Sequence, residues 1–289
     1  GSKKDNIKSQ KIKGKVFLGF CIFSTLVGII SLAALLVYVF YDAVGWLDFQ
    51  FITDSPSRFA EKAGIYPMLL GSIFLVAAVA LFTFPIGVGA AIYLEEYAPD
   101  NFLRRIIEMN IANLAGVPSI VFGLLGLGLF VTMLDMAHGT ILVGAFTLTL
   151  RVLPIVIVSS QEAIRAVPDS HRHAAYGLGS THWQVVRTVV LPESVPGIMT
   201  GTIIAMANAM GETAPLIMIG AATSIFTPPS GLLSPFSAMP LQIYAWSDFP
   251  NSDFQHGVTP AAIVVLLIIL LSMNAIAILI RQRFTRKSV

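Results

Sequence analysis

Two charged residues stand inside otherwise apolar runs, and they are where chemistry is expected first. Arg151 lies within Gly139–Ser160 and Glu212 within Val195–Phe226. A charge at bilayer depth is costly and normally faces a cavity or a partner. A guanidinium donates two parallel hydrogen bonds to an oxyanion, which places Arg151 beside an anion pathway. Glu212 cannot attract an anion. It is read as the partner that orients Arg151, or that meets a basic residue of a second chain. The alternative is a structural pair that fixes helix register, and the residue types alone leave both open. Thr213 and Asn208 are polar residues of the run that holds Glu212, and Asn113 and Ser119 are polar residues of another apolar run, Met109–Leu134. They can line that cavity or simply bond between helices. No nucleophile, base and orienting group fall together, so no catalytic residue is assigned. His138, His171, His173, His182 and His256 are scattered, and no metal site is expected. Gly123, Gly126 and Gly128 lie in an apolar run with no strand before them. They read as close helix packing rather than a nucleotide loop, and Gly87-x-Gly89 reads the same way.

The elements that must hold these residues follow from composition. The chain has 289 residues, 55% hydrophobic and 12% charged, against about 25% charged in a soluble domain. Too few polar groups are present to cover a surface, so lipid must cover part of it. The expected class is all-α integral membrane, because backbone groups in lipid must be satisfied within their own segment. Six transmembrane helices are expected, at Val16–Phe40, Tyr66–Leu94, Met109–Leu134, Gly139–Ser160, Val195–Phe226 and Val258–Ile280. The first is too long for a secretory signal. Lys and Arg crowd the N-terminal segment 1–15, the alternate loops carrying Arg104, Arg105, Arg165, Arg172 and Arg187, and the C-terminal end. That asymmetry predicts both termini in the cytoplasm. The basic ends suit topology and anionic membrane lipid rather than nucleic acid. Cys21 is the single cysteine and forms no intrachain disulfide. No internal repeat or soluble domain is evident, so an energy source must come from a partner or an ion gradient.

The cytoplasmic loop 161–196 is too polar to span and too patterned to be slack. Pro168 and Asp169 suit a helix start, and Gly179 suits its end, predicting a short helix over Pro168–Leu178. Ser180 or Thr181 can cap a second helix with Trp183, Val186 and Val190 on one face. Pro192 is expected to end it and Pro196 to open span five.

His173-Ala174-Ala175, then three residues, Gly179, nine residues and Val189-x-Leu191-Pro192 resemble the EAA loop of ABC importer membrane subunits. In that family the loop forms a coupling helix that docks on the ATPase. His173 stands where the family pattern has Glu. Two alanines allow close approach to a partner backbone, and the glycine lets the chain turn away. Pro85–Pro99, Gly116–Leu124, Gly211-Glu212-Thr213-Ala214-Pro215-Leu216 and Pro240–Trp246 resemble the phosphate-specific branch, in its PstA-type permease subunit. The resemblance implies a type I ABC importer permease fold in a bacterial inner membrane. A permease domain at 16–284 would carry the coupling loop and an outer loop, 221–257. It implies import of inorganic phosphate by alternating access. The implied partners are a PstC-type sister permease, two ATPase subunits and an extracytoplasmic phosphate-binding protein. ATP and Mg would belong to the ATPase, and no cofactor to this chain. The outer loop holds Phe236, Met239, Tyr244 and Trp246. They suit docking of the binding protein, packing on the chain's own spans, or a place at the membrane interface, where Trp and Tyr are common. The alternatives are a permease for molybdate or sulfate, or a stand-alone ion-coupled carrier.

Overall fold

The computed structural model describes residues 2–221 and 225–287. The expected fifth span and outer loop both include 222–224, which lie outside the described residues. Among the described residues there is no strand, only an isolated bridge between Thr140 and Pro235. Five helices are long and apolar enough to cross a membrane: Lys11–Ala43, Tyr66–Tyr97, Ile141–Arg165, His182–Gly211 and Phe254–Leu279. A sixth is made only if a bent pair, Phe102–Leu114 and Ser119–Met133, is counted as one span.

That bent pair corrects the expected straight span at Met109–Leu134. Its two halves meet at 106°. The cause is local. Pro118 is extended at ψ 137° and cannot continue a helix through its missing N–H. Gly116 and Val117 close a tight turn on the carbonyls of Asn113 and Leu114. Phe102–Leu114 carries Arg104, Arg105 and Glu108 and buries none of its residues. It is an amphipathic helix set at a sharp angle to the half that follows.

Span five is also shorter than expected at its far end. Its helix stops at Gly211, Glu212 is extended, and a separate short helix follows at Ala214–Met218. Pro215 explains the break, since it has no N–H to donate to the Gly211 carbonyl four residues back and its ring crowds that carbonyl. At the other end the span is longer than expected. His182–Val185, a π turn at Val186–Val190 and Leu191–Gly211 run on as one helix, so Pro192 and Pro196 neither end nor begin it. The first helix likewise begins at Ser2, so the basic segment is its opening turns rather than a separate tail.

Span four, Ile141–Arg165, is the central helix and the most buried one. It packs against spans two and five through Leu75, Val79, Leu148, Val152, Ala205 and Ala209. Lipid is as apolar as these side chains, so the contacts hold by close fit and not by exclusion of water. Small residues permit that fit. Gly87 meets Val156, Gly197 meets Ala163 and Gly201 meets Ser159. Gly123 and Gly126 are packing glycines too, but Gly128 and Gly89 face open space. The first helix touches the rest mainly at one end, where Val39 and Ala43 are buried in a second core with Phe254 and Val258.

At that same end, Phe236, Met239 and Trp246 of the 225–257 segment are fully buried in the bundle. A helix at Met239–Ser247 is fixed by the Met239 N–H, which donates to Ser72 Oγ at 2.8 Å. Of the residues considered for docking, Tyr244 alone is exposed. The aromatic content of this loop mainly packs on its own spans.

A Cβ on Gly123 would lie 2.8 Å from both the Pro215 Cα and the Met218 Cβ. Gly123→Ala is therefore expected to cost about 1–3 kcal/mol, because backbone cannot yield as a flexible side chain does. A lowered thermal unfolding midpoint of the detergent-solubilised protein checks this. Gly128→Ala, with nothing near it, is the neutral control.

Candidate functional site

The end of the bundle that carries residues 93–108 and 161–193 is held by a network of charges. Span two finishes in a π turn, Tyr93–Tyr97, whose Glu95 and Glu96 side chains are almost fully buried. Buried carboxylates need close cationic partners to offset lost hydration, and each has them. Glu95 meets Arg165 at 2.6 Å and accepts from Gln161 Nε2 at 2.8 Å, with Arg104 at 3.4 Å. Glu108 takes Arg104 at 2.9 Å. Glu96 takes Arg172 at 3.1 Å.

Arg172 matters most, because it sits on the short helix of the loop, Asp169–Gly177. Its guanidinium also donates to Val167 O at 2.7 Å, Ile164 O at 2.9 Å and Asp169 Oδ1 at 2.9 Å. The helix is thus tied to the ends of spans two and four. Span five is tied in as well. His171 Nδ1 lies 2.8 Å from Glu193 Oε1, and His182 Nε2 lies 2.9 Å from the Glu96 carbonyl. Ala175 packs on the small core formed by Ala91, Ile164, Val167, Val185 and Val190. The helix is therefore bonded to the ends of three spans.

Its other face is free of the chain. His173 and Ala174 are exposed, and Leu178 is 89% exposed at its tip. Gly179 has φ +84°, a conformation that L side chains rarely adopt. There its N–H donates to Tyr176 O at 2.9 Å, and the chain turns back toward span five. Leu191 and Pro192 lie at the base of that span, half-buried and exposed respectively. Val186 and Val190 share a buried face as expected, but Trp183 does not join them and is 54% exposed. Sequence reasoning used Arg165 and Arg172 only to orient the chain, and Glu95 and Glu96 only as part of a resemblance. The signal that could have joined them was a pair of adjacent acids closing span two and basic residues closing span four.

Within the bundle, Arg151 Nη2 lies 3.3 Å from Glu212 Oε1, with the side chains 18% and 15% exposed. Arg151 Nε is buried with no hydrogen-bond partner in the chain. Both broken helices lead here. Glu212 is the residue at which span five stops, and Thr213 accepts from the N–H groups of Leu216 and Ile217 as the next helix opens. Gly123, one turn into the helix that Ser119 begins, touches Pro215 and Met218 of that same short helix. Ser119 and Thr213 are half-buried at these two helix starts. Asn208, one turn before Glu212, is exposed and lines a separate cavity with Asn274 and Arg281. Asn113 is exposed in the last turn of the amphipathic helix, on the far side of the 106° bend from Ser119. The structure thus joins Arg151 and Glu212 directly and puts Asn208 and Asn113 in other surroundings.

Comparison with known proteins gives a consistent picture. The model of the family described as "Binding-protein-dependent transport system inner membrane component" matches residues 83–287. The chain is 36% identical to the probable ABC transporter permease protein YqgI of Bacillus subtilis, over 75% of this chain and 73% of that one. It is 32% identical to the phosphate transport system permease protein PstA 1 of Mycobacterium tuberculosis, over 96% of this chain and 91% of that one. In fold it resembles a chain of a bacterial alginate ABC transporter solved with an alginate pentasaccharide-bound periplasmic protein. The TM-score is 0.65 with 13% identity, covering 99% of each.

Proposed function

Because the chain belongs to the family of binding-protein-dependent transport inner membrane components, an ABC importer permease of type I fold, we propose that it carries inorganic phosphate into the cytoplasm. Its relatives support that substrate by their names. In this reading both termini and the Asp169–Gly177 helix face the cytoplasm. Two ATPase subunits dock on the exposed His173–Leu178 face of this chain and on its sister permease. ATP binding closes the ATPase pair and draws the two coupling helices together. The permease pair tips outward and receives phosphate from an extracytoplasmic binding protein, and hydrolysis resets it.

The observation that carries this reading is the anchoring of one exposed loop helix to the ends of three spans. A helix held that way transmits force, whereas one lying loosely on a membrane would not. Arg151 beside Glu212, where span five breaks, supplies a cation at mid-bundle for an anion to pass. Discontinuous helices suit a path, since irregular backbone inside a membrane is tolerated where it is buried or lines a cavity.

The test is co-expression with a sister permease, ATPase and binding protein encoded nearby. Vanadate-sensitive uptake of labelled phosphate is expected, competed by unlabelled phosphate and not by sulfate or molybdate. Competition by either of the latter redirects the substrate. Uptake that needs no ATPase overturns the importer reading.

A further inference from the structure

Two neighbouring acids of one π turn hold two different helices. Glu96 holds the loop helix through Arg172, and Glu95 meets the amphipathic helix Phe102–Leu114 through Arg104. The amphipathic helix buries none of its residues, so close packing does not fix it. Its charged pair does. Arg104 Nε donates to Glu108 Oε1 at 2.9 Å, and Arg104 Nη2 reaches Glu95 Oε2 at 3.4 Å. From span four, Gln161 Nε2 and Arg165 Nη2 lie 3.4 and 3.5 Å from Glu108 Oε1. Arg104 and Glu108 stand one turn apart and present a single charged edge to the ends of spans two and four.

The other end of this helix leads to the charged pair inside the bundle. It closes at Leu114, and after the bend at Gly116–Pro118 the chain begins the short helix Ser119–Gly126. That short helix touches both elements that carry the pair. Gly126 meets the side chain of Thr147, which is one turn before Arg151 on span four. Gly123 meets Pro215 and Met218, in the helix that opens just after Glu212. Contacts this close leave no loose space to absorb a shift of the short helix. Bonded and packed groups thus run unbroken from the turn that holds the loop helix to the Arg151–Glu212 pair, as a route for coupling requires.

We propose that Arg104 and Glu108 are positioning residues for transport. They hold the Phe102–Leu114 helix to spans two and four, and that helix carries the motion of the loop helix to the Arg151–Glu212 pair. The proposal rests on the transport reading above and adds a second arm to it.

The experiment uses the assembled importer in vesicles, with phosphate uptake and ATP hydrolysis both normalised to intact complexes. The double variant Arg104→Ala/Glu108→Ala removes both charges of the helix at once. Glu95 keeps Arg165 at 2.6 Å and Gln161 at 2.8 Å, so no buried carboxylate is left unpaired. Uptake is expected to fall at least about tenfold, the value of one charge-assisted bond, with hydrolysis retained. With Cys21→Ser as background, spin labels on Arg105→Cys and Arg187→Cys, both exposed positions, report the distance from this helix to the base of span five. A narrow distribution of distances is expected in the parent and a broad one in the double variant. Unchanged uptake, or a distribution that stays narrow, overturns the proposal. Hydrolysis lost in step with uptake also overturns it, since the pair would then serve the ATPase. Where the double variant does not assemble, Arg104→Gln is read in the same way. A parent complex with no ATP-dependent phosphate uptake counts against the transport reading, and the distances then still decide whether the pair holds the helix.

Discussion

Replacing Arg172 with alanine is expected to leave the ATPase running and stop transport. The side chain is 16% exposed and is shared among Glu96, itself 8% exposed, Asp169 and two backbone carbonyls. Removing one partner of a buried pair costs roughly 3 kcal/mol or more, because the other charge is left unpaired. That cost falls where the loop helix joins spans two and four, so the helix should swing without moving them. Arg172→Lys is not expected to rescue, since an ammonium lacks the planar fork that reaches four acceptors. The measurement is phosphate uptake and ATP hydrolysis on the same purified complex. Loss of uptake with hydrolysis retained is the expected split. Equal loss of both, with the complex intact, would mean Arg172 serves the ATPase contact itself.

The second large effect concerns Arg151 and Glu212. Arg151→Gln alone leaves a carboxylate with little solvent, and assembly should suffer by about 3–5 kcal/mol. The double variant Arg151→Gln/Glu212→Gln removes both charges and should restore assembly. The two readings of the pair part at this point. A pathway role predicts that the double variant assembles and still transports at least about tenfold more slowly, the value of one charge-assisted bond to the anion. A purely structural pair predicts that transport returns along with assembly. Counting complexes by co-purification and normalising uptake to that count separates the outcomes.

Much of this was legible in the residues, and the failures have local causes. Apolar run length found the spans at Tyr66–Leu94, Gly139–Ser160 and Val258–Ile280 closely, because lipid thickness sets that length. It failed at Met109–Leu134 as a straight span, where Gly116 and Pro118 divide an uninterrupted apolar run between the end of an amphipathic helix and a second helix set at 106° to it. Hydropathy sums over such a run and does not see direction. It failed again after Gly211, where Pro215 breaks the helix. At Pro192 the error ran the other way. The π turn at Val186–Val190 shifts the hydrogen-bond register just before the proline, and the helix continues. The short loop helix was found from Pro168, Asp169 and Gly179, whose backbone preferences are strong and local. Its anchoring was not, since Glu96 and Arg172 are 76 residues apart and nothing in either segment names the other. Glu212 and Arg151 were paired in thought only because both were out of place in hydrocarbon.

The central claim is that the Asp169–Gly177 helix is a lever between a cytosolic motor and three spans. It is tested most directly by crosslinking from its tip. With Cys21→Ser as background, Leu178→Cys, the most exposed apolar residue of the loop, is treated with a short bifunctional thiol reagent in membranes of the assembled importer. A covalent adduct with the ATPase subunit, whose yield changes when ATP and vanadate trap the closed motor, is the predicted result. Labelling of that cysteine from the outer side of the cell, or no adduct with any nucleotide-hydrolysing subunit, would contradict it.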